Sequence, residues 1–432
     1  MKFLITIALI VPFNLLNAQS ELNLTAEEMA FETETQMIEW RRHFHQNPEL
    51  SNREVNTGKK IAEELRSMGI EVQEGVAKTG VIGILKGAKP GPVVALRADI
   101  DALPITERTS LPFASNVVTE FNGAKTGVMH ACGHDSHMAI VLATASVLSK
   151  MKEDLSGTVK FIFQPAEEGP PPGEEGGAAL MIKEGALKSP DVDVIFGLHI
   201  DAGSQSGQIS YKAEGIMAAS DRFEINIKGV QAHGSTPWNS VDPISVAAQV
   251  VNGLQYIISR NVELTKEAAV ISVGILQAGV RFNIIPEEAK IVGTIRTLDK
   301  ETQKMIWEKI ETTAKNIAAT AGATADVEIV NNAALTYNDP DLMQKMLPSL
   351  ARSTTPELLF NTKAVTPAED FSFFQEKVPG IYFFVGAAGD KGPGRLLSRH
   401  HTPEFEIDEK AFMTGLKAML NLTLDYMAMH KN

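Results

Sequence analysis

Met129-His-Ala-Cys-Gly-His-Asp-Ser-His137 places the only cysteine of the chain and three of its ten histidines within nine positions. Apolar helical spacing begins at about residue 133 and continues to 151, so the cluster is a loop that turns into a helix. Cys132 has no intramolecular disulfide partner. Four roles are open to it: a buried inert thiol, a reactive one, a bridge to another chain, or a metal ligand. A thiolate and an imidazole two residues apart, Cys132 and His134, suit zinc or a similar transition metal. A free cysteine among ordinary core histidines is the plainer alternative.

Around this loop, from about residue 35 to 215, helical and β patterns alternate. Apolar helical spacing over 55–68 closes at Gly69, and short β-rich runs follow at 81–86, 93–97, 158–163 and 194–198. Several of these runs are apolar throughout, as strands buried on both faces of a largely parallel α/β sheet would be. Such sheets bind ligands beyond the C-terminal ends of their strands, where a loop like 129–137 belongs. From 217 to 330 the pattern changes. Phe223-Glu-Ile-Asn-Ile-Lys228 alternates apolar and polar residues, and similar strands at 270–275, 291–296 and 327–330 are separated by helical stretches at 242–259 and 300–321. The order β-α-β-β-α-β predicts a ferredoxin-like unit inserted into the larger domain. The chain then returns with a strand at 381–385 and a final helix after Asp408, a plausible N-cap. The expected division is a leader at 1–18, a catalytic domain at 19–216 and 331–432, and an inserted domain at 217–330.

Other chemistry-bearing residues fall at predicted strand ends. Adjacent carboxylates in Phe163-Gln-Pro-Ala-Glu-Glu168 are costly after a buried strand unless a cation intervenes, so one could ligate a metal while its neighbour acts as a base. His199 follows the apolar run 194–198, and His400-His-Thr-Pro403 follows another strand; taken singly, each histidine is as well read as a core residue. Asp99 and Asp101, in Ala98-Asp-Ile-Asp101, could bind a metal or orient a ligand from behind. No Gly-x-Ser-x-Gly elbow, phosphate loop or Gly-x-Gly-x-x-Gly after a strand is present. Cys132 and His134, two apart on one tight turn, are poorly placed to converge on a carbonyl as a thiol hydrolase.

The formal net charge of −13, with acidic and basic residues interspersed, argues against nucleic acid as a partner. At the N-terminus, Lys2, an apolar run over 3–11 and Ala18 before a polar stretch have the layout of a secretory signal peptide cut after Ala18. That run is too short to cross a bilayer core, which needs about 20 residues, so the expectation is export to the periplasm or beyond without stable membrane insertion.

Arg41-Arg-His-Phe-His45 with Pro48-Glu-Leu-Ser51, then Ala95-Leu-Arg-Ala-Asp-Ile-Asp-Ala-Leu-Pro104, His130-Ala-Cys-Gly-His-Asp135, Gln164-Pro-Ala-Glu-Glu168 and Ala232-His-Gly-Ser235 form an ordered series. In that order they strongly resemble the amidohydrolase branch of the M20 metallopeptidases, which includes hippurate hydrolases, N-acyl-amino-acid hydrolases and auxin-conjugate hydrolases. The resemblance implies an α/β metallopeptidase catalytic domain of the phosphorylase/hydrolase-like kind, with two divalent ions and an inserted ferredoxin-like α+β lid through which the chain forms a homodimer. It makes Cys132 the ligand bridging both ions and adds His134, Glu168, His199 and His401, with Asp99 and Asp101 behind them. Zinc, manganese, cobalt and nickel all remain open as the metal. Glu167 matches the general base, and His233 a histidine that reaches the partner subunit's site to stabilise the oxyanion. Asn283 and Arg296 match lid positions that hold the polar end of the substrate, for Arg296 by a bidentate fork on a carboxylate. The implied activity is amide hydrolysis of small N-acyl or N-aroyl amino acids. A carboxypeptidase or dipeptidase on the same site is the alternative within the enzymes, and a non-catalytic ligand-binding protein the alternative outside them.

Overall fold

The computed structural model describes residues 13–263, 265–389 and 399–430, with side chains from Glu21 onward. Of the expected leader, residues 1–12 lie outside the described residues, and the remainder begins the helix Phe13–Gln46. The chain forms two compact units. One holds the residues up to Tyr211, Asp339–Asn361 and those from Val378 onward; the other holds Lys212–Asn338 with Thr362–Lys377. That last piece, which the sequence pattern leaves with the larger domain, is tied to the second unit by a bridge between Val365 and Met217.

The first unit is built on an eight-stranded sheet ordered Glu71–Val76, Gly80–Lys86, Ser156–Gln164, Lys89–Asp99, Val194–Asp201, Gly380–Gly386, Ile209–Tyr211 and Leu359–Asn361. The four strands from Ser156–Gln164 to Gly380–Gly386 are mutually parallel. Antiparallel pairs flank them on both sides, so the sheet is mixed. On one side the cause is local: Ala77 and Lys78 take positive φ and close a tight hairpin. The central strands are buried at almost every position, including Val94, Leu96, Phe161, Phe163, Ile195, Phe196, Tyr382 and Phe383. Helices His134–Lys150 and Phe412–Met429 pack on this sheet, and Phe13–Gln46 packs against both of them. The long first helix buries Ala26, Ala30, Thr33, Met37, Trp40 and Phe44, a three-and-four spacing that gives one inward stripe. Near its start, Asn23 Nδ2 donates to Asn421 Oδ1 at 2.8 Å and to Asp425 Oδ1 at 3.1 Å.

In the second unit, strands Ala219–Lys228, Ala269–Ala278, Glu288–Thr297 and Thr324–Ala333 form an antiparallel sheet with the first and third in the middle. Helices Pro243–Asn261 and Lys300–Thr320 complete the ferredoxin-like succession and bury Phe223, Ile225, Ile291, Leu254 and Ile310 with the sheet. Asp242 and Asp299 cap the two helices, accepting from Ile244 N and Thr302 N.

The parallel centre of the first unit decides where chemistry can collect. Strands Lys89–Asp99, Ser156–Gln164 and Val194–Asp201 end on one edge, with Asp99 opposite Gln164. The helix His134–Lys150 starts there too, preceded by Gly133 at φ +97°. A Cβ at 133 would overlap Ile200 Cγ2, so only glycine lets Cys132 and His134 approach the end of the neighbouring strand. Gly133→Ala is expected to lower unfolding free energy by about 3 kcal/mol, from combined backbone strain and overpacking. A urea titration of metal-free protein checks this, and a loss below about 0.5 kcal/mol, the range of a neutral surface change, would contradict it.

Candidate metal centre and active site

Cys132 Sγ lies 3.4 Å from His199 Nε2 and 3.3 Å from His401 Nε2. His401 Nε2 is 3.1 Å from Glu168 Oε1. His134 Nε2 stands 3.9 Å from that same oxygen and 3.9 Å from Glu167 Oε2. Two of the five groups able to hold an ion among the described residues are Cys132 with His134 and His199, and Cys132 with Glu168 and His401. They meet at the thiol. The fold thus gathers all five expected ligands with Glu167, although they come from positions 132 to 401.

Hydrogen bonds to carbonyls, which only accept, settle which ring nitrogen faces inward. His134 Nδ1 donates to Asp101 O at 2.8 Å, and His199 Nδ1 donates to Ile200 O at 2.7 Å. Each Nε2 is left facing the cluster. His134 Nε2 and Glu168 Oε1 are buried and make no hydrogen bond among the described residues. By contrast, His137 uses both nitrogens: Nδ1 donates to Asp99 Oδ1 at 2.6 Å, and Nε2 accepts from Ile200 N at 2.9 Å. His400 does the same, donating to Cys132 O at 3.2 Å and accepting from Ala202 N at 3.2 Å. Of the adjacent pair, His401 alone turns a nitrogen to the thiol, and it does so from a left-handed backbone at φ +60°. His130 is buried with neither nitrogen hydrogen-bonded among the described residues, and burial pushes it down to about 3.

Asp101 lies on the Nδ1 side of His134, whereas Asp99 Oδ2 stands 3.8 Å from His134 Nε2 and forms, with His134 and His137, a further group able to hold an ion. Arg97 Nη1 donates to Asp99 Oδ2 at 2.8 Å, and its Nε to Gln164 Oε1 at 2.9 Å. The Asp101 carboxylate accepts from Glu167 N and Glu168 N, both at 3.1 Å, and from Ser51 Oγ at 2.7 Å. Sequence reasoning gave no role to a further set of supports. Asp135 Oδ2 accepts from His45 Nδ1 at 2.8 Å and lies 2.9 Å from Arg41 Nε, while His45 Nε2 donates to Glu107 Oε1 at 3.2 Å. Burial opposes both charges, yet Arg41 and His45 hold Asp135 well below the usual carboxylate range, and Asp135 with Glu107 raises His45. Glu54 is buried too, and burial and the nearby Asp101 push its carboxyl up to about 7. Arg41, His45 and Ser51 belong to motifs visible in the sequence, but nothing in their spacing shows what they would touch.

His233, Asn283 and Arg296 belong to the second unit. His233 is exposed, pairs with Ile284 in a two-residue bridge and accepts from Ser235 Oγ at 2.7 Å through Nδ1. Gly234 N donates to Asn283 O at 2.9 Å, so His233 and Asn283 share one corner. Arg296, on the strand Glu288–Thr297, is half-buried and donates to Thr294 Oγ1 at 2.6 Å and Ile295 O at 3.1 Å.

The model of peptidase family M20/M25/M40 matches residues 95–425. The chain belongs to peptidase family M20. It is 40% identical to N-acetylcysteine deacetylase of Bacillus subtilis, over 90% of this chain and 96% of that one. It is 38% identical to thermostable carboxypeptidase 2 of Saccharolobus solfataricus, over 91% and 96%. A solved structure from Bacillus subtilis, described as a dinuclear metal-binding peptidase of the M20 family, superposes with a TM-score of 0.76 at 36% identity, covering 92% of this chain and 99% of that one. This M20 chain is therefore an enzyme, a hydrolase of the group that holds amidohydrolases and carboxypeptidases.

The donors of this M20 site fit divalent ions on their chemistry. Burial, with Glu168, Glu167 and Asp99, pushes the Cys132 thiol well above its ordinary value, and burial beside His137 and His400 holds His199 well below its own. His134 goes the other way: against burial, Asp99 and Asp101 push it up to about 10. Such a cluster calls for positive charge, and a divalent cation would satisfy it while deprotonating the thiol. Asp99→Asn removes the negative charge that stands 3.8 Å from His134 Nε2. It is expected to weaken zinc or manganese binding about 10–100-fold, measured by competition with a chromophoric chelator, and unchanged affinity would refute the role given to Asp99.

Proposed function

We propose that this M20 enzyme is a dinuclear metal-dependent amidohydrolase that cleaves small N-acyl or N-aroyl amino acids into an acid and an amino acid. The observation carrying this reading is the pair of donor triads that share Cys132, with Glu167 on the same turn as the donor Glu168. Cys132 would bridge two ions, His134 and His199 completing one side and Glu168 and His401 the other. Bound there, zinc, manganese, cobalt or nickel would acidify water and polarise the scissile carbonyl. Glu167 takes the proton from the attacking water and later gives it to the departing amine. His233, supplied by a second copy of the chain, donates to the oxyanion. Asn283 holds the polar end of the substrate, and Arg296 forks its carboxylate.

The homodimer in this reading uses the second unit. Its support is the open edge strand Ala269–Ala278, which exposes Val270, Ile275 and Leu276, beside the helix Pro243–Asn261, which exposes Tyr256. Export belongs to the same reading and rests on the residue pattern from Lys2 to Ala18 alone.

A carboxypeptidase or dipeptidase action is the second reading, favoured by the likeness to thermostable carboxypeptidase 2. Metal-reconstituted protein assayed side by side on N-acetyl-amino acids, N-benzoyl-amino acids and dipeptides separates the two. Acylated amino acids are expected to be turned over faster; a clear preference for dipeptides would transfer the assignment to the second reading. Glu167→Gln should retain its metal by elemental analysis while kcat falls about 1,000-fold. Near-normal turnover by the metal-loaded variant would sink the assignment of the base.

A further inference from the structure

The turn that follows strand Ser156–Gln164 presents three consecutive amides to buried carboxylates. Glu167 N and Glu168 N donate to the two oxygens of Asp101 at 3.1 Å each, and Ala166 N donates to Glu54 Oε1 at 2.9 Å. Asp101 lies just beyond strand Lys89–Asp99. Glu54 comes from elsewhere: it is the residue before helix Val55–Ser67, which packs on strands Glu71–Val76 and Gly80–Lys86. Its second oxygen accepts from Thr79 Oγ1 at 2.6 Å, and the side chain is wholly buried. The turn is therefore clamped from two rigid elements on opposite sides of it in the sheet order.

We infer that Glu54 is a positioning residue for hydrolysis, fixing through the Ala166 amide the turn that carries Glu167 and Glu168. The inference rests on the roles proposed above for those two carboxylates. Ala166 sits at φ +54°, a left-handed conformation that an alanine leaves unless held. With its amide anchored to Glu54 the left-handed state is kept, and successive amides point the same way, as in an anion-binding nest. Without the anchor, a buried amide loses its hydrogen-bond acceptor, and the low-energy escape is rotation of Ala166 toward the right-handed region. That rotation re-aims the next two residues, the base and a metal donor. Asp101 alone cannot prevent it, because it grips only the amides that follow.

The test uses the full mature chain loaded with zinc or manganese, on whichever N-acyl amino acid the substrate panel favours. Glu54→Ala is expected to lower kcat about 100-fold at saturating metal, with KM changed by less than about threefold, as a misplacement on the order of 1 Å would do. In parallel, metal affinity read by chelator competition should weaken at least about tenfold, a readout independent of turnover. Glu54→Gln keeps an oxygen for Ala166 N and should recover most of both. Where Glu54→Ala fails to fold, Glu54→Asp, which withdraws the carboxylate by one methylene, should show the same losses. A folded Glu54→Ala or Glu54→Asp with wild-type kcat and metal affinity overturns the role. So does a Glu54→Gln as impaired as the alanine variant, since the effect would then lie in charge and not in the bond. Glu167→Gln run beside them keeps the two failures apart: if it is inactive while Glu54→Ala is normal, only the Glu54 role falls, whereas an active Glu167→Gln removes the active-site reading and this inference with it.

Discussion

Asp101 carries more of the site than any donor does. Its carbonyl takes the Nδ1 proton of His134, and its carboxylate takes the amides of Glu167 and Glu168 and the hydroxyl of Ser51. One residue thereby ties together the end of strand Lys89–Asp99, the start of helix His134–Lys150, the turn after Ser156–Gln164 and the segment leading to helix Val55–Ser67. A buried carboxylate can do this because it accepts several hydrogen bonds at once, and its partners offset much of the cost of burying its charge. Against the pull of burial, His134 above all, with Ser51 Oγ and the Glu168 amide, holds Asp101 below its ordinary value.

From this tie the electrostatics follow. Glu167, Glu168, Asp99 and Asp101 each bring a carboxylate oxygen to within 3.4–3.9 Å of a His134 ring nitrogen, so negative charge gathers around that ring. Arg97 offsets part of it at Asp99, and Arg41 part of it at Asp135, one position beyond His134. Neither guanidinium is hydrogen-bonded to the inner oxygen of Glu168 or to His134 Nε2, both of which lack a hydrogen bond among the described residues. Four of the histidines divide by the same logic: His137 and His400 engage both nitrogens away from the thiol and serve as rivets, whereas His134 and His199 tie down Nδ1 and leave Nε2 to the cluster.

Much of this was legible in the residues and some was not. Strands buried on both faces announce themselves as apolar runs, and half-buried strands by alternation, so the two kinds of sheet were distinguishable. The donors stood out because thiols, imidazoles and paired carboxylates at strand ends are expensive without a purpose. The long first helix did not stand out, since its inward stripe is carried by Ala26, Ala30 and Thr33 as much as by Met37 and Trp40, and small residues give weak periodicity. Nor did helix Pro340–Arg352, which has Pro348 inside it. Glu54 was invisible for another reason: in the sequence it is an acidic residue before a helix, and only the fold brings it to an amide 112 positions away.

The rivet formed by His400 has a bearing on how the molecule is made. Its ring holds the carbonyl of Cys132 across 268 positions, and the strand Gly380–Gly386 must first seat beside Val194–Asp201. Contacts of such separation must meet the entropy of closing a long loop before they reward it, which slows their formation. A chain emerging from its N-terminus would display Cys132, His134, Glu168 and His199 long before His401, while most of the ferredoxin-like unit is already complete as one contiguous segment. If these residues hold ions as proposed, capture with the full donor set would be a closing step of folding, and its binding free energy would accrue to the finished chain and not to any shorter intermediate.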